Sequence, residues 1–339
     1  NVSAAAVEIL ADVRVTFTDN AVLDVANDVQ VAKTGKLIFE ENAQFVKRNP
    51  QASIASMVFK RKTRKIDKFD YTYFCSPVEG QILNEIGDPS YFNLYDNGSG
   101  PYMPPLFDKY AYFNQSASPA SYYTNFFNSG NWTTVPETST MDPGGQAGIG
   151  FIVRGPQSFD QGNKQYWYVK FEGVPHDGNY TVPVTGMPYS PCGSDQKYSP
   201  AFIGNPYPSM LDADAFLSNA SNVANLSGAI YLWTHNTGPA SIPGDATYNY
   251  TANDFVIYNL VGGVGTGRVN GEPIYAPNNY NRPNGKIAMC QGFITRGINS
   301  TGVATFTNSM RDYSLDAPAD VDNQQFFRTS GNNSVSSVT

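Results

Sequence analysis

Histidine is nearly absent. The 339 residues hold only His176 and His235, so a nucleophile that needs an imidazole base has two places to find one. Each has a local structural explanation. His176 lies in Val174-Pro-His-Asp-Gly178, a turn signal that places it at the surface, and His235 in Trp233-Thr-His-Asn236 reads as a hydrogen-bonded strand end. No Gly-x-Ser-x-Gly elbow occurs. Charge is scarce too: 15% of residues against the usual quarter or so, which argues against a cytosolic enzyme or a helical repeat. The formal balance of −7 makes the whole chain a poor partner for nucleic acid. No apolar run approaches the ~20 residues of a membrane-spanning helix. Cys75, Cys192 and Cys290 show no metal-ligand spacing and cannot all pair. Cys75 and Cys290 sit in apolar, strand-like runs and read as buried thiols, with one disulfide left open if the chain is exported. The absence of an initiator Met and of a signal peptide is that expected of a mature or trimmed piece of a longer product.

What the chain does hold is 22 tyrosines, 21 phenylalanines, 30 glycines and 23 prolines, the profile of short strands joined by turns. One stretch occurs twice. Gly148-Ile-Gly-Phe-Ile-Val-Arg-Gly155 returns as Cys290-Gln-Gly-Phe-Ile-Thr-Arg-Gly297. Each copy follows a Pro-marked strand end, Phe74-Cys-Ser-Pro77 and Ile203-Gly-Asn-Pro206, and leads to a Phe-bearing strand. Large apolar residues closed by Gly fit a strand whose ends must bend. Phe151 and Phe293 are read as core residues, and Arg154 and Arg296 as braces that hold a neighbouring strand or loop.

A second repeat lies in residues 1–50, where Phe17-Thr-Asp-Asn-Ala-Val-Leu23 returns 22 positions later as Phe39-Glu-Glu-Asn-Ala-Gln-Phe45. That period, with Asn at a corner, predicts coils of a short β-solenoid. The expected organisation is all-β with little helix. The coils of 1–50 are followed by a pseudo-duplicated, jelly-roll-like β-sandwich with halves at 51–197 and 198–328, and by a polar linker at 329–339. In the second half Pro206 and Pro208 enforce an extended turn, and Asp212 is the N-cap of a helix over Ala213–Ala220. Gly262-Gly-Val-Gly-Thr-Gly267 lacks the Lys and Ser/Thr of a phosphate loop and reads as a flexible loop.

Three groups carry ligand chemistry. The basic run Lys60-Arg-Lys-Thr-Arg-Lys65 with Lys68 is either a solvated strand that resists edge pairing or a dock for an acidic polysaccharide or lipid head group. Trp132 and Trp167, with Tyr122 and Tyr123 in the uncharged aromatic region 97–130, are candidates to stack on sugar rings, whereas core packing suits Trp233 better. Asp316, Asp320 and Asp322 in Leu315-Asp-Ala-Pro-Ala-Asp-Val-Asp322 offer oxygen ligands to calcium, without EF-hand spacing. No other cofactor is expected.

Several segments also share a family pattern in this order: Gly35-Lys-Leu-Ile-Phe39, Lys60-Arg-Lys-Thr63, Phe69-Asp-Tyr-Thr-Tyr73 with Ser76-Pro77, and Gly204-Asn-Pro-Tyr-Pro-Ser209. Asp212-Ala-Asp-Ala-Phe216, Leu232-Trp-Thr-His-Asn-Thr237, Gly285-Lys-Ile-Ala288, Gln291-Gly-Phe293 and Thr305-Phe-Thr-Asn-Ser-Met-Arg311 continue it. Together they resemble a module of large surface proteins of gliding and related Bacteroidetes, exported by the type IX secretion system; residues 97–130 lie outside the shared pattern. The resemblance implies an extracellular, non-enzymatic adhesin or surface-filament module at the bacterial cell surface. Its implied partners are surface polysaccharide or neighbouring copies of itself, and upstream and downstream modules of the same chain. A carbohydrate-binding or polysaccharide-degrading secreted protein on the same scaffold is the alternative.

Overall fold

Residues 22 positions apart lie beside one another in parallel ladders. The computed structural model describes residues 2–18, 20–66, 70–87, 110–113, 132–156, 159, 164–184, 199–233, 255–264 and 283–313. Strands β1 (Val2–Ala4), β2 (Val7–Ile9) and β3 (Arg14–Phe17) pair in parallel with β4 (Val22–Val25), β5 (Val29–Val31) and β6 (Lys36–Phe39), and β4 pairs onward with β7 (Gln44–Lys47). The register sets Val7 on Val29, Arg14 on Lys36 and Val22 on Gln44. Identical positions therefore stack. Phe17 lies on Phe39, and Phe39 on Phe59, with ring centroids 5.2 and 5.0 Å apart. At the corners the Asn42 and Asn49 amides donate to Asn20 and Asn27 at 3.4 and 3.3 Å.

The coils run straight into the next unit. It comprises β8 (Met57–Ile66), β9 (Tyr71–Phe74), β10 (Tyr110–Phe113), β11 (Trp132–Thr134), β12 (Phe151–Arg154) and β13 (Gln165–Gly173). β8 pairs in parallel with β6 and antiparallel with β13, giving a mixed sheet of order β13-β8-β6-β3. A second sheet has the order β11-β10-β12-β9. Leu23, Phe39, Phe45, Phe59, Phe74, Phe151, Trp167 and Phe171 share one buried core, so the coils are covered by the same side chains that fill the first half.

The second core gathers β14 (Tyr180–Val184), β15 (Ser199–Gly204), β16 (Met210–Asp212), the helices α1 (Ala213–Ser218) and α2 (Ala220–Asn225), and β17 (Ala229–Trp233). It continues with β18 (Phe255–Asn259), β19 (Gly262–Val264), β20 (Lys286–Ile287), β21 (Gly292–Gly297), β22 (Gly302–Phe306) and β23 (Arg311–Asp312). Its main sheet has the order β15-β21-β17-β18-β19. The Asp212 carboxylate accepts from the Ala215 amide at 2.9 Å, as an N-cap does. The helix expected over 213–220 is instead two short ones, because Asn219 leaves the helical conformation and caps the second through Ser221 and Asn222. Gly262–Val264, expected in a loop, pairs with β18 as an edge strand. β14 belongs with the second core through its ladder with β22.

The duplicated stretch holds the two cores together. β12 lies antiparallel on β9 with Phe151 opposite Phe74, and β21 lies on β15 with Phe293 opposite Ile203. Phe151 fills the first core and Phe293 the second. Each pair also reaches across to the other: Ile149 bridges Ile203, and Gln291 bridges Phe74. The Cys75 amide donates to the Cys290 carbonyl, and the Gly204 amide to the Gly148 carbonyl, both at 2.9 Å. Cys75 corresponds to Gly204 and Cys290 to Gly148, so the two bonds are the same bond made twice about a local pseudo-two-fold. Gly148 (φ 93°) and Cys290 (φ 65°) both turn through the left-handed region there, at a cost to Cys290 on the order of 1 kcal/mol. Astride the axis pack Tyr73 with Phe202, Ile152 with Ile294, and Trp233 with Phe255; Tyr73 stacks on Trp233 at 5.5 Å and 7°.

Glycine makes this crossing sterically feasible. A Cβ on Gly204 would stand 2.3 Å from the Cys75 Cβ, and one on Gly292 would stand 2.9 Å from the Phe202 ring. Gly204→Ala is therefore expected to destabilise the protein by about 3 kcal/mol. Adding Cys75→Gly to that variant removes the 2.3 Å contact but leaves the new Cβ 2.8 Å from the Gln291 carbonyl oxygen and 3.0 Å from the Gly292 Cα. It therefore recovers only part of the lost stability, as chemical denaturation of both variants would show. A Gly204→Ala protein as stable as the parent contradicts the packing described.

Candidate functional site

Among the described residues, the one histidine lies inside the junction. His176, read from its sequence as a surface turn residue, is buried at 2% exposure. The turn is covered by two distant segments: His176 Nδ1 lies 3.2 Å from both the Ser76 and the Pro206 carbonyl oxygens. Its Nε2 stands 4.0 Å from the Asp142 carboxylate, which accepts from the Gly80 amide. Burial lowers the imidazole pKa, and Asp142 and the carbonyls only partly oppose it.

Beside it lies a buried ionic knot. Asp177 takes Lys47 at 3.0 Å and Arg311 at 3.3 Å, with all three side chains nearly sealed from water. Lys47 Nζ also donates to the Asn49 and Ala52 carbonyls at 2.7 Å. Arg311 donates to Ser209 Oγ at 2.9 Å and to the Phe45 carbonyl, and its guanidinium lies over the Tyr207 ring at 5.2 Å. Burial lowers the Arg311 pKa, against the pull of Asp177. The Tyr180 hydroxyl, buried nearby, is pushed up to about 12 by desolvation. The knot ties the last coil (Lys47) to the turn after β13 (Asp177) and to β23 (Arg311). Its charges face one another, with Asp177 Oδ2 meeting Lys47 as an ion pair without hydrogen-bond geometry.

The outward face of the mixed sheet is different in kind. β13 alternates, with Trp167, Val169 and Phe171 inward and Tyr166, Tyr168, Lys170 and Glu172 half-exposed. Trp167 is thus not a ligand platform: it is 2% exposed, its ring packed edge-on to Phe74 at 5.9 Å. The basic run of β8 divides in the same way. Arg61 and Thr63 point inward, Arg61 to the Glu41 carbonyl and Thr63 to the Trp167 amide at 3.0 Å. Lys60 and Lys62 point outward, with Lys62 opposite Tyr168 and Lys65 opposite Tyr166 across a register shift. The Lys62 ammonium lies 5.0 Å from the Tyr166 ring centroid and 5.8 Å from that of Tyr168, and Lys65 lies 5.5 Å from Tyr166.

Lys36 of β6 and Arg14 of β3 extend the same face. Glu172 pairs with Lys36 at 2.5 Å and with Lys170 at 3.4 Å, Glu40 with Lys60 at 3.6 Å, and Glu41 with Lys62 at 3.9 Å. Burial raises the Glu172 pKa, but Lys36 and Lys170 more than offset it, so the net shift is downward. Arg14, Lys36, Lys60, Lys62, Lys65 and Lys170 thus meet three carboxylates, a local positive surplus on a chain of net charge −7. A depression of about 180 Å³ opens at one end, between Lys33, Lys36, Val58 and Glu172. Ile38 and Val58 close the floor under the lysine stems.

The remaining residues singled out from sequence are spread widely. Trp132 lies in β11, paired with Phe113. Tyr122, Tyr123, Asp316, Asp320, Asp322, His235, Cys192 and the linker 329–339 fall outside the described residues. Among the described residues no three His, Cys, Asp or Glu side chains converge as a metal group. Arg296 stacks over Tyr231 of the neighbouring strand at 5.0 Å, and the Pro206 carbonyl faces His176. Cys75 and Cys290 are buried free thiols, both pushed up chiefly by burial. Tyr166 and Tyr168 were not among the residues singled out; the alternation around Val169 and Phe171 carried the signal for them.

Residues 1–338 match the family model described as a domain of unknown function, DUF8693. No curated protein and no solved structure matches the chain.

The buried imidazole has a measurable consequence. The unfolded chain binds a proton on this histidine near pH 6.5, whereas the fold holds it neutral to lower pH. Stability is therefore fully present above that value and falls as pH drops below it, by about 1.4 kcal/mol per unit at most. Denaturation between pH 7.5 and 5.5 is expected to show this contribution in the parent and to lose it in His176→Gln.

Proposed function

The chain belongs to the DUF8693 family, and from its own geometry we propose that it is a non-enzymatic adhesive or structural module of the bacterial cell surface. It works outside the cell, as part of a long adhesin or of an assembled filament, in the manner of the type IX-secreted surface proteins of Bacteroidetes that its segments resemble. The observation that carries this reading is the division of labour among polar groups. His176, Asp142, Asp177 and Arg311 serve the junction between the cores, while the cations and phenols of the mixed sheet lie half-buried on its outward side. A module of this build resists extraction through paired backbone and cross-strand aromatic contacts, and meets its surroundings through a flat surface.

A carbohydrate-binding or polysaccharide-degrading protein on this scaffold is the second reading, favoured by Tyr166 and Tyr168 on either side of Lys62. Release of reducing sugar from polysaccharide by the purified chain would support degradation over simple binding. For the primary reading, antibody-labelled negative-stain images of the producing cells test the place of work. Label on surface fibres or on the outer envelope is expected, and label confined to the cell interior overturns the reading.

A further inference from the structure

We infer that the outward face of sheet β13-β8-β6-β3 binds an acidic polysaccharide, with sugar carboxylates on Lys60, Lys62 and Lys170 and sugar hydroxyls on the phenols of Tyr166 and Tyr168. The inference builds on the surface-module reading by naming the ligand class and the residues that hold it.

Charge complementarity is the first argument. Among the described side chains of this sheet face six cations meet three carboxylates, although the chain as a whole carries −7. The existing ion pairs are only partly exposed, with Lys60 and Lys62 at 15 and 16% and their partners Glu40 and Glu41 at 31 and 21%. They are long, however, at 3.6 and 3.9 Å, so a ligand carboxylate that approaches more closely competes for the same ammonium groups. Spacing is the second. Lys60 and Lys62 sit two residues apart along β8, roughly 7 Å, and neighbouring strands lie about 4.8 Å apart. The face is therefore a two-dimensional array of donors, suited to an extended polymer with a charge on successive sugars.

Preorganisation is the third. The Lys62 ammonium lies against two phenol rings, 5.0 and 5.8 Å from their centroids, so less side-chain freedom is lost on binding. The phenol hydroxyls supply donors for sugar oxygens. A lipid surface fits less well. Membrane-interface docking needs apolar groups to insert, and among the described residues none of the exposed large hydrophobics, Val2, Leu10, Val13, Val223, Leu260 and Val261, is a member of the array, although Val13 adjoins Arg14. Ile38 and Val58, on the face itself, are buried beneath it.

The test is direct binding of the purified full chain to polygalacturonate and to hyaluronate by calorimetry. A methyl-esterified polygalacturonate and phosphatidylserine vesicles serve as comparisons. Binding to an acidic polymer is expected, weakened about tenfold or more by esterification and by raising salt from 50 to 300 mM. Lys60→Gln with Lys62→Gln is expected to weaken it about tenfold, and Tyr168→Phe about threefold, the size of one or two lost contacts. Arg48→Gln removes one charge from another face, where Arg48 pairs with Asp24, and leaves binding unchanged. Thermal melts confirm that each variant folds. Failure to bind either acidic polymer, an equal loss in Arg48→Gln, or preference for the vesicles overturns the inference. Because purified protein is used, these outcomes are independent of where in the cell the chain is found.

Discussion

Two strand pairs pass within touching distance where Cys75 meets Gly204, and the molecule is arranged about that contact. Backbones can approach so closely only if one side lacks a Cβ, and the 2.3 Å separation that a Cβ on Gly204 would have from Cys75 states the constraint numerically. The reward is a pair of equivalent hydrogen bonds, Cys75 to Cys290 and Gly204 to Gly148. With them comes a shared aromatic cluster in which Tyr73 and Phe202 pack at 4.9 Å. The two cores also meet at Ile149, which packs against both.

The ionic knot follows from that crossing. Once the halves are joined, the turn at His176 and Asp177 is covered by Ser76 on one side and by Pro206 on the other. Charges placed there lose their water, and such a loss is tolerable only with close partners. Lys47 and Arg311 are those partners, and they bring the last coil and β23 into the same junction. Charge inside the molecule therefore acts as a connector. Charge on the mixed sheet can be used otherwise, because its inner face is filled by Phe39, Phe59, Trp167 and Phe171, while on its outer face the lysines and tyrosines lie half-buried over Ile38 and Val58. The N-terminal coils share this sheet through β6, so the Phe17–Phe39–Phe59 stack sets the height of the platform on which Lys36 and Lys60 stand.

Features encoded by a short pattern were readable in the chain itself. The 22-residue period needs only Phe17, Phe39, Asn20 and Asn42 to announce parallel ladders, and Asp212 needs only the helix after it to act as a cap. The doubled Gly-Phe-Ile segment likewise marked equivalent strands, though not that each pair bonds to the other. Features set by distant segments were not readable. A Pro-His-Asp-Gly turn looks exposed locally, and His176 is covered by residues 100 and 30 positions away. The outward role of Tyr166 and Tyr168 depends on which way β13 faces. That is decided by Trp167, Val169 and Phe171 filling the core, and a tryptophan judged alone looks like the better sugar platform. Asn219 splits the expected helix because its side chain competes for amides that would otherwise continue the turn.

If the crossing is the element on which both cores rely, they cannot open separately. Native-state hydrogen exchange at the Cys75 and Gly204 amides measures this most directly. The account predicts that both exchange only through global unfolding, with opening free energies equal to within about 0.5 kcal/mol. An amide at either position that exchanges through a local opening several kcal/mol cheaper than the other would show two independent halves and contradict it.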